Sequence, residues 1–261
     1  MSVRWLLQAA ADVPEGSGWL SDAEALRLAK APTQKRRDAL RLGRFAAKRA
    51  LLAWLGRELP LARLEISAAE DGAPEPRLDG ALLPCTLSLS HRDGVALCAV
   101  AEDGARLGCD LERIEARAGS FAREWLGQEE YDALLALPAA AHDARVTLLW
   151  SAKESALKAL RAGLRRDPRD VRVRLEGSPG DHGWGALVLA CAADPAAGFP
   201  APLVLGGVWR RLGSYVLTLA ADPGTTTRSS RWITSSPLLK PRSAAISRVG
   251  RPWMRATSSL A

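Results

Sequence analysis

Gly108-Cys109-Asp110-Leu111-Glu112 and Trp150-Ser151-Ala152-Lys153-Glu154-Ser155-Ala156-Leu157-Lys158 are the two stretches whose reading decides this chain. The first alternates in strand fashion, and side chains two apart on a strand share a face. Leu107, Cys109 and Leu111 take one face, while Gly108, Asp110 and Glu112 take the other. One side is core, and the other carries paired carboxylates beside a residue without a side chain. The second stretch lies in a helical pattern over 144–162. There Leu149, Ala152, Ala156 and Leu160 make an apolar stripe, with Glu154, Lys158 and Arg161 opposite and Trp150 at the border. Glu154 and Lys158, four apart, also share a face. Like charges as close as Asp110 and Glu112 raise each other's pKa unless a cation neutralises them. Three carboxylates and a lysine suit a divalent cation that holds a phosphate, because Mg²⁺ favours one or two carboxylates with phosphate oxygens and waters. Plainer readings stand beside this one: a solvated strand face, and an exposed helical ion pair worth only about 0.3–0.5 kcal/mol. The plainer readings leave the tryptophan unexplained.

Two further patterns flank these. Leu87-Ser88-Leu89-Ser90-His91-Arg92-Asp93-Gly94 places His91, one of three histidines, where a strand becomes a turn. Adjacent strand residues point apart, which argues against a Ser–His nucleophile; a phosphate-contacting imidazole and a plain turn histidine both remain open. Upstream, Arg37, Arg41, Arg44 and Lys48 follow one helical face, with Arg36 off the stripe. Such a face repels itself unless an anion visits or distant acids offset it.

The remaining elements read as follows. Val3–Gln8 is a strand. Ser21 and Glu24 form a capping box for a helix toward Lys30. Thr33 caps a second helix to Leu55, which Gly56 ends. Leu64–Ala68 is a strand, and 70–84, rich in proline, is expected to be a loop. Thr86–Ser90, Val95–Ala101 and Leu107–Glu112 are strands. Helices follow at 120–126, 128–137 and 144–162, the last ended by Gly163. Four strands close the pattern: Val171–Glu176, Gly185–Ala190, Leu203–Arg210 and Tyr215–Ala220. Helices followed by a meander, twice over, predict an α+β fold of two similar lobes, each a small and mostly antiparallel sheet packed with helices. The expected division is 1–106 for the first lobe, 107–222 for the second lobe with the metal site, and 223–261 for a disordered basic tail.

Composition narrows the function classes. The 261 residues suffice for a substantial core, and no apolar run is long enough to span a bilayer. Residues 1–20 carry Asp12 and Glu15 and no apolar block before a cleavage site, so no secretory signal is expected. Cys85, Cys98, Cys109 and Cys191 form no CxxC pair and read as buried thiols in a reducing, cytoplasmic setting. The net charge of +7 belongs to the tail, whose seven basic residues face no acid beyond 223; the rest carries 29 basic and 29 acidic residues. A neutral body disfavours nucleic acid as a partner.

Taken in order, Ser90-His91-Arg92-Asp93-Gly94, Gly108–Glu112 and Trp150–Lys158 resemble the 4′-phosphopantetheinyl transferase superfamily, in its longer, two-lobed type. The resemblance spans roughly 3–220 and implies an active site between two lobes. It implies transfer of the 4′-phosphopantetheine arm of coenzyme A to a serine of an apo acyl, polyketide or peptidyl carrier protein, with release of 3′,5′-ADP. By motif position it implies Asp110, Glu112 and Glu154 as Mg²⁺ ligands, Lys158 as a pyrophosphate contact, and Ser90 and His91 as contacts to the nucleotide end. Arg27 matches a coenzyme-binding cation, and Arg37, Arg44 and Lys48 on the basic stripe are expected to serve the same ligand. Glu154, Asp110 and Lys158 are the expected catalytic set, with Glu154 or a metal-bound water as base. The chain departs from the family at Gly72-Ala73-Pro74, where relatives often carry lysine at the middle position; Arg77 or the basic stripe is expected to substitute. Cys109 stands where aliphatics are common. A monomer is expected. The alternatives are a metal-dependent phosphohydrolase and a non-catalytic coenzyme A or nucleic-acid binder.

Overall fold

The computed structural model describes residues 2–177, 183–223 and 226–229. Its α+β architecture is built on two main sheets. The first has β1 (Ser2–Ala9) between β6 (Val95–Glu102) and a short parallel β12 (Thr226–Ser229), with β5 (Cys85–Arg92) beyond β6. The second is antiparallel throughout, in the order β7 (Leu107–Arg113), β11 (Tyr215–Ala221), β10 (Leu203–Leu212), β9 (Trp184–Cys191), β8 (Val171–Glu176). A small third sheet pairs β2 (Leu64–Ala68), β3 (Pro74–Leu78) and β4 (Ala81–Leu82).

The apolar periodicities explain the layering. Along β6, Ala96, Cys98 and Val100 meet Leu42, Ala46, Ala50 and Leu51 of α2 (Gln34–Leu55). The alternate set, Val95, Leu97 and Ala99, joins Trp5 and Leu7 of β1 against Cys109, Leu111, Leu217 and Leu219 of the second sheet. A strand covered on both faces becomes a continuous apolar run, which is how Val95–Ala101 reads. On the far face of the second sheet, Leu149, Ala152, Ala156 and Leu157 of α5 (His142–Ala159) pack on Val171, Leu187, Leu189 and Leu205. The order is thus helix, sheet, sheet, helix. Smaller helices, α1 (Asp22–Ala29), α3 (Phe121–Trp125) and α4 (Gln128–Leu135), fill the flanks.

Local signals mostly act as the sequence predicts. The Ser21–Glu24 capping box opens α1, Thr33 caps α2, and Gly56 ends it in the left-handed region at φ 66°. Several readings need correction, among them the end of the last helix, which closes at Ala159 and not at Gly163. The expected loop over 70–84 contains β3 and β4. Pro74 and Pro76 alternate, so their missing N–H groups share one edge, and the two-residue β4 pairs only Arg77 and Leu78. His91 lies within β5, since the turn is Asp93-Gly94 alone, both at positive φ as a tight hairpin demands. Finally, backbone pairing extends past 223: β12 pairs β1 from Ser2↔Thr226 to Trp5↔Ser229. The rest of the expected tail, 230–261, lies outside the described residues.

Gly108 fixes how closely helix and sheet meet. A β-carbon there would lie 1.8 Å from the Ser155 carbonyl oxygen and 2.7 Å from the Ala159 nitrogen. The α5 backbone therefore rests directly on β7.

Candidate active site

The seam between β7 and α5 gathers the expected acids. Asp110 is buried, with 4% of its surface exposed. Its Oδ1 accepts from Ser90 Oγ at 2.8 Å and from Lys158 Nζ at 2.7 Å. Lys158 also donates to the Cys109 carbonyl at 3.1 Å. Desolvation, the largest single influence, would discharge this ammonium, but Asp110, Cys109 and Glu154 together outweigh it and raise the lysine pKa. The other oxygen, Asp110 Oδ2, is buried without any hydrogen-bond partner.

Glu112 is held differently. Its Oε2 takes Arg117 Nη2 at 3.1 Å, its Oε1 takes the Trp150 indole N–H at 3.3 Å, and Arg92 Nη1 stands 4.0 Å away. Trp150 is braced edge-on by Phe121 and Trp125, both at 5.3 Å, and the Arg117 guanidinium lies 4.5 Å over Phe121. The tryptophan that a surface ion pair leaves unexplained thus fixes a carboxylate. Glu154 is half-buried on the same helix. Burial, and then the neighbouring acid charges, push the Glu112 and Glu154 carboxyls above the usual range, although Arg117 acts against this at Glu112 and Lys158 at Glu154. Both acids would gain from a cation.

Among the described residues no three His, Cys, Asp or Glu converge closely enough to hold a metal ion as they stand. The donor chemistry nevertheless fits one. All three groups are hard oxygen donors, one oxygen is buried and orphaned, and burial followed by acid neighbours raises the pKa of the other two carboxyls despite their cationic neighbours.

The β5 strand supplies the opposite wall. Ser88 Oγ accepts the Cys109 N–H at 2.9 Å, while Ser90 reaches Asp110, so alternate serines tie β5 to β7. Ser90, expected at the nucleotide end, here orients the acid. His91 is exposed beside them; desolvation and then the Lys158 charge lower its pKa, which favours the neutral imidazole. Arg36, exposed and off the predicted stripe, adds a smaller lowering at His91.

The stripe itself must be corrected. Lys48 is fully buried, with Nζ 2.5 Å from Glu24 Oε2 and 3.1 Å from the Trp19 carbonyl. It stabilises the α1–α2 junction and is not presented to a ligand. Arg44 faces the same Glu24 at 3.7 Å, Arg41 donates to the Pro14 and Gly16 carbonyls, and Arg37 donates to the Ala31 carbonyl at 2.8 Å. Glu24 and these carbonyls are the anionic complement that the sequence left open. Arg27 is exposed on α1, and its charge reaches Arg44. Near Ala73, Arg77 turns away to Ser67 Oγ and the Gly80 carbonyl, both at 3.1 Å. The guanidinium that meets the 71–74 loop is that of Arg161, bound to Asp71.

A cavity of about 760 Å³ opens beside Lys158, lined by the Asp71–Pro76 loop, Ser88, Leu107, Arg161 and Phe199. That volume is in the range of small-molecule sites. Residues 106–182 match the family model of the 4′-phosphopantetheinyl transferase superfamily. The matched segment carries β7, α5 and β8, and with them Asp110, Glu112, Trp150, Glu154 and Lys158; it does not reach β5 or α2. Among solved structures, the chain is similar to the holo-[acyl-carrier-protein] synthase of Thermotoga maritima at 24% identity over 46% of this chain and 71% of that one, with a TM-score of 0.33. Comparison with curated proteins gives no match.

The four cysteines are free and buried, as expected. The Cys109 thiol sits between the sheets, pushed up to about 11 by burial, so a small thiol replaces an aliphatic there as inert filler. Among the described residues no helix is long and apolar enough to cross a membrane.

Proposed function

We propose that this chain is a phosphopantetheinyl transferase of the two-lobed type, which moves the 4′-phosphopantetheine arm of coenzyme A onto a serine of an apo carrier protein and releases 3′,5′-ADP. The observation that carries this reading is Asp110 Oδ2, a buried and unpartnered oxygen flanked by two carboxyls of raised pKa and one lysine. Asp110, Glu112 and Glu154 would hold Mg²⁺. When bound, the ion would neutralise pyrophosphate oxygens and make the attacked phosphorus more electrophilic.

The chain's own groups do the rest. Lys158, a compact charge at the cavity wall, pairs with phosphate oxygens. His91, whose pKa is lowered by desolvation and then by the Lys158 charge, offers a ring N–H to phosphate at the lip, and Arg36 adds charge there. Glu154, with its raised pKa, is suited to take the proton of the carrier serine, which is a weak nucleophile unaided. Trp150 and Arg117 hold Glu112 in place until the site is filled. Phosphoryl transfer asks mainly for positioning and charge neutralisation, and this seam is equipped for both. In this reading residues 1–106 and 107–222 form the two lobes, and the enzyme works as a monomer in the cytoplasm, where four free thiols stay reduced.

The test is to incubate the protein with coenzyme A, Mg²⁺ and a panel of apo carrier proteins, with intact mass as readout. One phosphopantetheine arm should appear on the carrier serine, and Asp110→Ala should abolish loading while the fold persists. Lys158→Ala should slow loading strongly, and Lys158→Arg should recover only part of it, because a planar fork replaces a point charge. Release of free phosphopantetheine from coenzyme A without any carrier would replace the transferase by a phosphohydrolase.

A further inference from the structure

Helix α5 ends in an unusual way. The Ala162 N–H bonds the Leu157 carbonyl and the Arg161 N–H bonds the Lys158 carbonyl, both at 3.0 Å. This is a Schellman motif, whose left-handed position usually falls to glycine because a β-carbon is crowded there. Here that position is Arg161, at φ 54°. Its side chain points to a partner far away in sequence: Nε meets Asp71 Oδ2 at 2.6 Å and Nη2 meets Asp71 Oδ1 at 2.9 Å. Two parallel bonds of this kind fix direction as well as distance.

Both ends of the pair are braced. Asp71 Oδ1 also accepts the Ala73 N–H at 3.1 Å, and the loop is closed by Ala69 N–H to the Ala73 carbonyl at 2.8 Å. Arg165 Nη2 donates to the Arg161 carbonyl at 2.8 Å and Arg165 Nε to the Ala162 carbonyl at 3.1 Å. The side-chain hydrogen bond from Arg161 holds the Asp71 carboxyl at about 2, so the pair is charged at any ordinary pH. An exposed ion pair contributes little to stability and does not by itself justify a crowded backbone. The location supplies the missing reason. Asp71 lies between β2 and β3 beside the first main sheet, Arg161 ends the helix that carries Lys158, and both line the cavity next to Lys158.

We propose that Arg161 is a positioning residue that straps the Asp71–Ala73 loop to the end of α5 and so sets the width of the cavity that admits coenzyme A. This rests on the transferase reading above for the identity of the ligand. The strap itself acts on the loop, away from the reacting atoms, so its signature is affinity for coenzyme A without a change in turnover.

The experiment compares the full chain with Arg161→Gly, Arg161→Lys, Asp71→Asn and the charge swap Asp71→Arg with Arg161→Asp. Arg161→Gly removes the guanidinium and relieves the left-handed backbone together, so the fold should persist. Coenzyme A affinity is read by calorimetry without carrier, and amide exchange is followed over 69–74. Arg161→Gly and Asp71→Asn should weaken coenzyme A about tenfold and speed exchange in the loop, while kcat at saturating coenzyme A and KM for the carrier stay within about twofold. Arg161→Lys and the swap should restore part of the affinity. Native affinity and native exchange in Arg161→Gly would overturn the strap. Equal loss of affinity and turnover would also overturn it, because that would mark Arg161 as part of the reacting site. A native protein that binds coenzyme A but loads no carrier would sink the transferase reading, and the affinity comparison would still decide the strap.

Discussion

Two helix–sheet seams in this molecule look alike in sequence and differ in their electrostatics. In each, a helix carrying a lysine lies on a sheet near a buried acid. Where α2 meets α1 and β2, the Glu24 carboxylate is satisfied on every side. It takes Lys48 at 2.5 Å and the Ser21 N–H at 3.0 Å on one oxygen. The other takes the Ile66 N–H at 3.0 Å, with Arg44 nearby. Where α5 meets β7, Asp110 has one oxygen filled by Ser90 and Lys158 and the other left bare, and two more acids stand close with raised pKa values. Buried polar groups in proteins are nearly always paired. The filled Glu24 carboxylate therefore reads as architecture, even with the Trp19 indole N–H beside it unpartnered, and the bare carboxylate oxygen among acids at the α5 seam is what favours our reading of a ligand there.

The largest blow to this contrast should come from Gly108→Ala. The new β-carbon would meet backbone atoms of α5 at 1.8 Å, and backbone, unlike a side-chain tip, cannot turn aside. Either the helix lifts from β7 and the acid cluster disperses, or the protein fails to fold. A loss of more than about 3 kcal/mol in denaturant unfolding is expected, together with loss of transfer. A stable Gly108→Ala variant would mean that the close approach is dispensable.

Next in size is Lys48→Met, which leaves the buried Glu24 with two backbone N–H groups and, for a cation, the more distant Arg44. Breaking one partner of a buried pair costs about 3–5 kcal/mol, whereas replacing both partners costs far less. Thus Lys48→Met combined with Glu24→Gln should be more stable than Lys48→Met alone, and the double variant should bind coenzyme A normally. If it folds well but binds coenzyme A poorly, the α2 seam is a ligand site after all and the contrast fails.

The same two seams show what a sequence can and cannot display. The alternation of Leu107, Cys109 and Leu111 against Gly108, Asp110 and Glu112 is legible because a strand has only two faces, and the core claims one. The Ser21–Glu24 box is legible as a cap, yet its glutamate also anchors Lys48 and the Ile66 N–H, which lie far away in the chain. Periodicity places Arg37, Arg41, Arg44 and Lys48 on one face, but it does not reveal that the segment ending at Trp19 lies over that face. Arg92 and Arg117 escape for a similar reason: Arg92 sits in the Ser90–Gly94 motif but reaches Glu112 of a different strand, and Arg117 reaches it from outside the motifs. Lys153 and Glu154 give the sharpest case. They are neighbours, yet Lys153 is fully buried on Glu130 and the Pro168 and Val171 carbonyls, while Glu154 is left in the site. The strands β3 and β12 were hidden by prolines in one case and by a lack of apolar residues in the other.

A smaller effect, of opposite sign, is expected from Glu154→Gln. The folded state raises this carboxyl's pKa, so it binds protons more readily than the unfolded chain does. Its charge therefore opposes folding in full above the raised folded-state pKa, and the burden lifts as pH falls from there to the ordinary glutamate value. At neutral pH without divalent cations, Glu154→Gln should unfold at a slightly higher temperature than the native protein, while loading of carriers collapses. Mg²⁺ should raise the native midpoint and do so less in the variant. If Glu154→Gln is instead less stable without cations, the carboxylate is already paired, and the α5 seam is as satisfied as the α2 seam.

The smallest effect belongs to Gly43→Ala, the counterpart of Gly108 in the other seam. Gly43 lies buried in α2 over β5, and a β-carbon there would meet only Leu89 Cδ2, at 3.0 Å. That methyl is the far end of a flexible side chain that is only half-buried, so it can shift by a few tenths of an ångström. Against the strain stands the backbone: alanine inside a helix is favoured over glycine by about 1 kcal/mol, because glycine loses more freedom on folding. The two terms oppose each other at similar size, so the unfolding free energy should change by less than about 1 kcal/mol, and coenzyme A affinity should stay native. A cost comparable to that of Gly108→Ala would show that α2 is set on its sheet as tightly as α5, and that close backbone approach is a property of both layers instead of the acid-bearing seam.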